Sequence, residues 1–271
     1  MRVFCALTAW SCAAATSNQT RFLLLSTQRS GTHFAMAQLR RHPDIFTYEE
    51  IFYLNNVADS PAAFERGLRV FFGLEAFAEG VLYEGLDKYF ASGEVDARPV
   101  RGAVVQYNQL VDWDAVVDIA ERLDVKLIHL WRQAHDRVAV SRFLNNHKGA
   151  QCIRADKKAA IKRLTAEIKA EVKTYRRRVA DLAKRQHWKF KTAEITYEGL
   201  TDRADHELQR LHRFLRVPAT TAALGAFKDR GPNQVKLHPQ AVPIGDYFYR
   251  GDTCPWAEAR AKAARARAAE S

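Results

Sequence analysis

The chain has 271 residues, of which 47% are hydrophobic, and a formal net charge of +11. That length can bury one large α/β core, fits one domain as well as two, and contains no visible linker or repeat period. The four cysteines form no C-x-x-C pair and no His/Cys cluster with metal spacing, which argues against structural zinc. The positive charge leaves nucleic-acid binding open as a competing class of function.

Residues 1–19 resemble a weak signal sequence, with one basic residue, an apolar stretch and then small residues. The stretch is too short to span a bilayer, which needs about 20 apolar residues. A cleaved secretory signal, an organelle-targeting leader and an unstructured terminus all fit. Location in the secretory pathway, including the Golgi lumen, and in the cytoplasm therefore both stay open. If the leader is removed, Cys152 and Cys254 remain as a candidate disulfide pair.

The first informative elements lie in residues 21–39, which predict a strand, a tight turn and a helix. Phe22–Leu25 is a short continuous apolar run, typical of a strand buried on both faces. Phe34, Leu39 and the alanines between them suit a helix. The turn between these elements therefore lies at a helix N-terminus.

This turn reads Gln28-Arg-Ser-Gly-Thr32. Free backbone N–H groups and the positive end of the helix dipole favour a phosphate or sulfate at such a position. The turn does not match the nucleotide P-loop G-x-x-x-x-G-K-[ST], because Gly31 is its single glycine and Arg29 precedes it. This mismatch argues against a GTPase or ATPase function. A tight strand-to-helix connection without a ligand is the alternative.

A second strand, loop and helix begin at Val125. Arg132 closes the apolar run, and Ser141 lies on the helix that follows. Both can therefore reach the same edge of the sheet. Alone, Arg132 is explained as a surface arginine at a strand end and Ser141 as a solvent-facing serine. The chain therefore contains two strand, turn and helix units, and each carries groups that can bind a phosphate. Their occurrence together is poorly explained by coincidence.

The turn resembles the 5′-phosphosulfate-binding loop of the sulfotransferase family, written P-[KR]-[ST]-G-[ST] or Q-R-S-G-T. In that family an Arg at a strand end and a Ser eight or nine positions later hold the 3′-phosphate of the donor nucleotide, as Arg132 and Ser141 would here. The spacing of nine resembles the bacterial nodulation and trehalose branch, although Ala134 stands where that branch often has Asn. The resemblance implies 3′-phosphoadenosine 5′-phosphosulfate (PAPS) as co-substrate and no metal. The donor site that it implies consists of Gln28, Arg29, Ser30, Gly31, Thr32, His33, Arg132, Ser141 and Lys236.

The segment from His42 to Phe52 resembles the branch signature H-P-x-I-x-x-x-G-E-x-F. It implies Glu50 as the catalytic base, with Arg29 stabilising charge on the leaving group. Glu49 replaces the signature glycine, and an adjacent carboxylate can raise the pKa of its neighbour if both are desolvated. Either glutamate can therefore be the base. His33 and His42 are weaker candidates, which we interpret as ligand-lining or structural.

The strongest argument for nucleic-acid binding is the segment 156–188, which carries eleven Lys/Arg and four Asp/Glu. Its apolar residues recur at spacings of three and four and predict one long helix with a solvated basic face. They are Ile161, Leu164, Ile168, Val172, Tyr175, Val179 and Leu182. The face can also steer anions toward the site. No zinc-finger spacing, RNP motif or interleaving of aromatic and basic residues accompanies it, so nucleic-acid binding is a minor alternative.

Two later segments also resemble family features. Ile195–Leu200, followed by an amphipathic helix that ends at Pro218, resembles the mostly structural stretch after the last core strand. The segment from Phe227 to Lys236 resembles the late basic loop over the 3′-phosphate. Its candidate contacts are Lys228, Arg230 and Lys236.

The strand-like runs Arg101–Gln106 and Trp188–Glu194 alternate with helical patterns. They predict an α/β fold: a single P-loop-like domain over residues 20–255, with a mainly parallel sheet flanked by helices. Residues 256–271 form an Ala/Arg-rich tail, either a peripheral helix or disordered.

The implied reaction is in-line sulfuryl transfer to an acceptor hydroxyl or amine, and a nucleotide or phosphoryl transferase is the alternative enzyme class. A carbohydrate acceptor is expected first, then a small metabolite or a lipid hydroxyl. No nucleic-acid partner and no membrane span are expected. The acceptor pocket is expected within residues 53–98, with Phe71, Phe72, Tyr83 and Tyr89.

Overall fold

The computed structural model describes residues 19–52, 60–76, 90, 98–110, 112–146, 153–154, 157–218 and 248–249. Its strands are β1 (Thr20–Ser26), β2 (Ile45–Glu50), β3 (Val100–Gln106), β4 (Val125–Trp131), β5 (Ile153–Arg154), β6 (Thr192–Thr196) and β7 (Phe248–Tyr249). Its helices are α1 (Thr32–Arg40), α2 (Pro61–Phe71), α3 (Trp113–Arg122), α4 (His135–Asn146), α5 (Lys158–Ala183), α6 (Tyr197–Asp202) and α7 (Ala204–Leu215). A 3-10 turn covers Tyr107–Gln109.

Five of the described strands form one sheet in the order β2-β3-β1-β4-β6, and every pairing is parallel. β1 lies at its centre, which explains why Phe22–Leu25 is apolar throughout and completely buried. The chain moves from β1 to β2 and β3 on one side, then to β4 and β6 on the other. This reversal beside β1 is the kind of position at which open α/β sheets bind ligands. The predicted α/β class and parallel sheet are confirmed.

The sheet separates two apolar layers, because alternate residues of each strand face opposite sides. On one side, Leu23 and Leu25 of β1 pack with α2, α3 and the end of α5. On the other side, Phe22 and Leu24 pack with α1 and α7. Helices therefore cover both faces of the sheet, and the connecting segments lie at the two ends of the central strands.

The long basic helix is α5, and its apolar stripe is confirmed. Two of the seven predicted stripe residues, Leu164 and Tyr175, are half-buried against the core. The other five are buried: Ile161, Ile168, Val172, Val179 and Leu182. The basic face differs from the predicted solvated surface at two arginines, of which Arg178 lies 5.2 Å from the ring centroid of Tyr175. Arg176 forms an ion pair with Glu194 at 2.6 Å and lies over the ring of Trp131.

Two expectations need correction. The strand predicted over Trp188–Glu194 begins only at Thr192, because Trp188 is fully buried in the core and residues 184–191 turn around it. Phe71 and Phe72, expected in an acceptor pocket, are 0% and 1% exposed and belong to the core beside α2. Tyr83 and Tyr89 lie outside the described residues, as do residues 1–18 of the leader, the tail, Cys152 and Cys254.

None of the helices in the described ranges is both long enough and apolar enough to cross a membrane.

Candidate active site

The candidate site lies at the carboxyl edge of the sheet. Ser26 of β1 pairs with Gln106 of β3, and β4 ends at Trp131 on the other side of β1. Because the strands are parallel, the segments that follow them meet at this edge. The turn over residues 27–31 connects β1 to α1 here, at the positive end of the helix.

The turn is held by hydroxyl hydrogen bonds. Ser30 Oγ donates to the carbonyl oxygen of Thr27 at 2.8 Å, and Thr27 Oγ1 donates to Glu171 Oε2 of α5 at 2.7 Å. Ser30 is fully buried and Thr32 is 5% exposed. The hydroxyl proton of Ser30 is therefore used inside the turn, while α5 holds the turn from outside.

Two residues of the turn have left-handed backbone angles, with φ of 67° at Arg29 and 95° at Gly31. Glycine is required at position 31 for a second reason. A Cβ built there would lie 2.1 Å from Cδ2 of Tyr197, the first residue of α6. The ring of Tyr197 thus packs directly on the backbone of the turn, which only glycine allows.

The structure brings the two predicted phosphate-binding units together. Arg29 Nε donates a hydrogen bond to Ser141 Oγ at 3.1 Å, which connects the turn after β1 with α4. An arginine and a hydroxyl from two distant segments therefore share one location, as expected for two groups that bind one ligand.

Arg132 follows β4 and is 5% exposed. Its guanidinium carbon lies 4.6 Å from the ring centroid of Tyr197, and its Nε lies 3.9 Å from Glu198 Oε1. Within the described part of the chain, its Nε and Nη2 have no hydrogen-bond partner. Burial lowers the pKa of Arg132, although a guanidinium stays charged. A buried cation with two unused donors is costly unless an anion binds it.

Glu198 organises the loop between Arg132 and α4. Its carboxylate accepts hydrogen bonds from the backbone N–H groups of Gln133 at 3.0 Å and Ala134 at 3.2 Å. These residues precede α4, so the carboxylate satisfies free donors at a helix start. The contact fixes the path of the chain from Arg132 toward Ser141.

Glu50 lies at the end of β2, where a β-bulge changes the strand register. Tyr48 pairs with Ala103, but Glu50 pairs with Val104, so Glu49 is the extra residue. Glu50 therefore faces the side of the sheet that α1 covers, with Val104, rather than the side of Tyr48. On that side Gln106 Nε2 donates a hydrogen bond to Glu50 Oε1. The side chain of Glu49 is outside the described residues.

The other predicted site residues lie in the turn, on or just after α1, or outside the described residues. Gln28 is half-buried in the turn, and His33 is exposed in the first turn of α1. His42 is 1% exposed at the far end of α1, where its ring lies 2.8 Å from the carbonyl oxygen of Pro218 and packs on His212. We assign His42 a structural role. Lys228, Arg230 and Lys236 lie outside the described residues.

Sequence reasoning missed the roles of four residues that support the site. Gln106 contacts Glu50, and the only signal was a polar residue at the end of a predicted strand, at the carboxyl edge. Glu171 holds Thr27 from a helix 144 positions away, and no local pattern indicates such a contact. Tyr197 and Glu198 lay in a segment interpreted as mostly structural, yet they contact Gly31 and the loop after Arg132.

The chain matches the model of the sulfotransferase domain over residues 19–234 and belongs to the sulfotransferase family. No curated protein matches it. A solved mouse sulfotransferase, SULT7A1 complexed with PAP, is 16% identical, with 75% of this chain and 60% of that chain covered and a TM-score of 0.47. The chain thus spans less than two thirds of the length of that protein.

Two further solved structures are similar. The sulfotransferase domain from the curacin biosynthetic pathway is 17% identical, with 76% of this chain and 77% of that chain covered and a TM-score of 0.45. The sulfotransferase domain from the Synechococcus PCC 7002 olefin synthase is 19% identical, with 77% and 78% covered and a TM-score of 0.47.

Proposed function

We propose that this protein transfers a sulfuryl group from PAPS to an acceptor hydroxyl by in-line displacement. The observation that carries the proposal is the meeting of Arg29, Ser141 and the buried Arg132 around the turn after β1. Membership of the sulfotransferase family supports the same chemistry. The donor supplies the activated sulfuryl group, and the protein supplies binding, orientation and charge.

The residues present fit a donor that carries anions at two positions. The backbone N–H groups of residues 30–32 and the guanidinium of Arg29 would hold the 5′-phosphosulfate, at the start of α1. Arg132 and Ser141 would hold the 3′-phosphate, which would satisfy the two unused donors of Arg132. Gln28, His33 and Lys236 complete the proposed donor site, with Lys236 placed there by the sequence resemblance alone.

Glu50 is the proposed general base. A base must be held where an acceptor hydroxyl can also reach the sulfur, and the bulge at Glu49 and the amide of Gln106 fix Glu50 at the carboxyl edge. The acceptor oxygen forms a bond to sulfur while the bond from sulfur to the 5′-phosphate oxygen breaks. The acceptor proton passes to Glu50, and adenosine 3′,5′-bisphosphate (PAP) leaves with its charge stabilised by Arg29.

The acceptor class is a proposal from the sequence signature. A carbohydrate hydroxyl is the first choice because the segment from His42 to Phe52 resembles the carbohydrate branch. A small metabolite or a lipid hydroxyl is the second. A pocket within residues 53–98 would hold the acceptor, without Phe71 and Phe72, which are part of the core.

The test is an acceptor screen with sulfur-labelled PAPS. Mono- and oligosaccharides, phenols, steroids and fatty alcohols are incubated with the full chain, and labelled products are separated from the donor. We expect label in at least one hydroxyl acceptor, and loss of that product in Glu50→Gln. Label released only as free sulfate, or incorporation that is equal in both proteins, would contradict the proposed reaction.

A further inference from the structure

A second basic site lies at the opposite edge of the sheet, where β4 and β6 begin. A cleft of about 370 Å³ is lined there by four cationic side chains and two phenyl rings: Lys126, Lys189, Arg213, Arg216, Phe190 and Phe214. Lys126 is the second residue of β4, and Arg132 follows the end of the same strand. At about 3.3 Å per strand residue, the cleft and the donor site are roughly 20 Å apart.

The charges in this cleft are unbalanced. Its described lining residues include no carboxylate, and the nearby Asp124, which pairs with Lys191 at 2.6 Å, offsets only part of the positive charge of Lys126 and Arg216. Lys126 Nζ donates to the carbonyl oxygen of Phe214 and lies 4.9 Å from its ring centroid. Burial, and then repulsion by Arg216, lowers the pKa of Lys126 to about 8. An anion in the cleft would relieve this repulsion.

The cleft also offers apolar contact. Phe190 is 77% exposed, although a large apolar side chain is usually buried, and Lys189 Nζ lies 5.7 Å from its ring centroid. Phe214, which also lines the cleft, is half-buried. Exposed rings beside cations suit a ligand that combines a charged group with an apolar or planar body.

We propose that this cleft is a second anion site, which binds a small phosphate or sulfate ester carrying an apolar or planar group. Both esters present tetrahedral oxyanions, to which lysines and arginines donate charge-assisted hydrogen bonds. The site is independent of the donor site, because the cleft and the donor site are lined by different residues at opposite edges of the sheet.

The probes are phenyl phosphate and phenyl sulfate, with phenol as the uncharged control, all in the presence of excess PAP. Acetylation of individual lysines by an amine-directed reagent is followed by mass spectrometry. We expect either ester, but not phenol, to slow acetylation of Lys126 about fivefold or more, while the exposed Lys184 reacts at an unchanged rate. The more protective ester identifies the ligand class.

The matched variants are Arg216→Gly and Arg177→Gln. Arg216 has a φ of 62° at the end of α7, so glycine keeps that helix end without strain while removing the charge. Arg177 is an exposed cation of α5 outside the cleft. By calorimetry, affinity for the protective ester should fall about fivefold or more in Arg216→Gly and stay unchanged in Arg177→Gln. Unprotected Lys126, or equal affinity in all three proteins, would overturn the proposal.

Discussion

Arg29 Nε donates a hydrogen bond to Ser141 Oγ at 3.1 Å, across a sequence separation of 112 residues. Arg29 has a left-handed backbone conformation, which is rare for a residue other than glycine, and in this conformation its side chain lies beside α4. The contact joins a turn at a helix start to a helical hydroxyl. A ligand bound at one of these groups is therefore within reach of the other.

Arg132→Met should separate donor binding from stability. Charge-assisted hydrogen bonds contribute about 1.5–3 kcal/mol, so the Kd for PAP should rise roughly 10- to 150-fold by calorimetry. Without ligand the Tm should change little, because the loss of the contacts with Glu198 and Tyr197 is offset by the removal of a buried cation that has two unpaired donors. Unchanged affinity with a lowered Tm would show that Arg132 serves only the fold.

Arg177→Gln is the control for that variant. It removes one exposed positive charge from α5, and we expect unchanged PAP affinity. Arg176 is unsuitable as a control, because it pairs with Glu194 and covers Trp131. An equal loss of affinity in both variants would indicate attraction by overall charge rather than a contact with Arg132.

Glu50→Gln keeps the shape of the side chain but removes its ability to accept a proton. Turnover with an acceptor found in the labelled screen should fall about a hundredfold or more, with PAP affinity unchanged. Glu49→Gln is the matched control and should have a much smaller effect. If both variants keep near-full turnover while His33→Ala abolishes it, the base is a histidine.

Gly31→Ala should damage the turn after β1 in two ways. Alanine resists the φ of 95°, and its Cβ would meet Tyr197 at 2.1 Å. Gly73→Ala is the control, since Gly73 has a φ of 70° but faces only the end of the Arg101 side chain. In urea unfolding, we expect Gly31→Ala to lose more than the roughly 1 kcal/mol typical of backbone strain, and to lose PAP binding. Equal effects at both positions would exclude the Tyr197 contact as the cause.

His129 makes stability depend on pH. Burial, with a smaller contribution from Arg176, lowers the pKa of this histidine from 6.5 to about 3. Below pH 6.5 the unfolded chain takes up a proton that the folded chain rejects. The contribution is therefore complete above pH 6.5 and is lost as the pH falls toward 3.

The size of this effect follows from the proton linkage. Between pH 7 and pH 5 the loss should be about 2 kcal/mol in the free energy of unfolding by urea. His129→Gln should reduce this pH dependence. A pH dependence that is the same in the variant and in the unaltered protein would contradict the buried neutral state of His129.

The central elements of the site could be predicted because their signals are local. Phe22–Leu25 is apolar throughout since β1 is buried on both faces, and the polar turn after it directly precedes α1. Contacts that depend on tertiary packing could not be predicted. The bulge that reorients Glu50 arises from pairing with β3, and the hydrogen bond from Thr27 to Glu171 depends on where α5 packs.

Tertiary packing also determines where β6 begins and where Phe71 and Phe72 lie, so neither could be predicted from the sequence. Trp188 has strand propensity, but it is fully buried within a turn, so the strand begins later. Two adjacent phenylalanines at the end of α2 fit a ligand pocket or a core equally well by sequence. Because α2 packs against the sheet, both side chains are part of the core.

The most direct test of the central claim is a calorimetric comparison of PAP with ATP in the presence of magnesium. The single-glycine turn, with Arg29, Ser141 and Arg132 around it, is expected to select a nucleotide with phosphates at both the 3′ and 5′ positions. We expect PAP to bind at least about a hundredfold more tightly than ATP, the scale of two charge-assisted hydrogen bonds, and to raise the Tm. Equal binding of the two nucleotides, or binding of ATP alone, would contradict the account and favour a phosphoryl transferase.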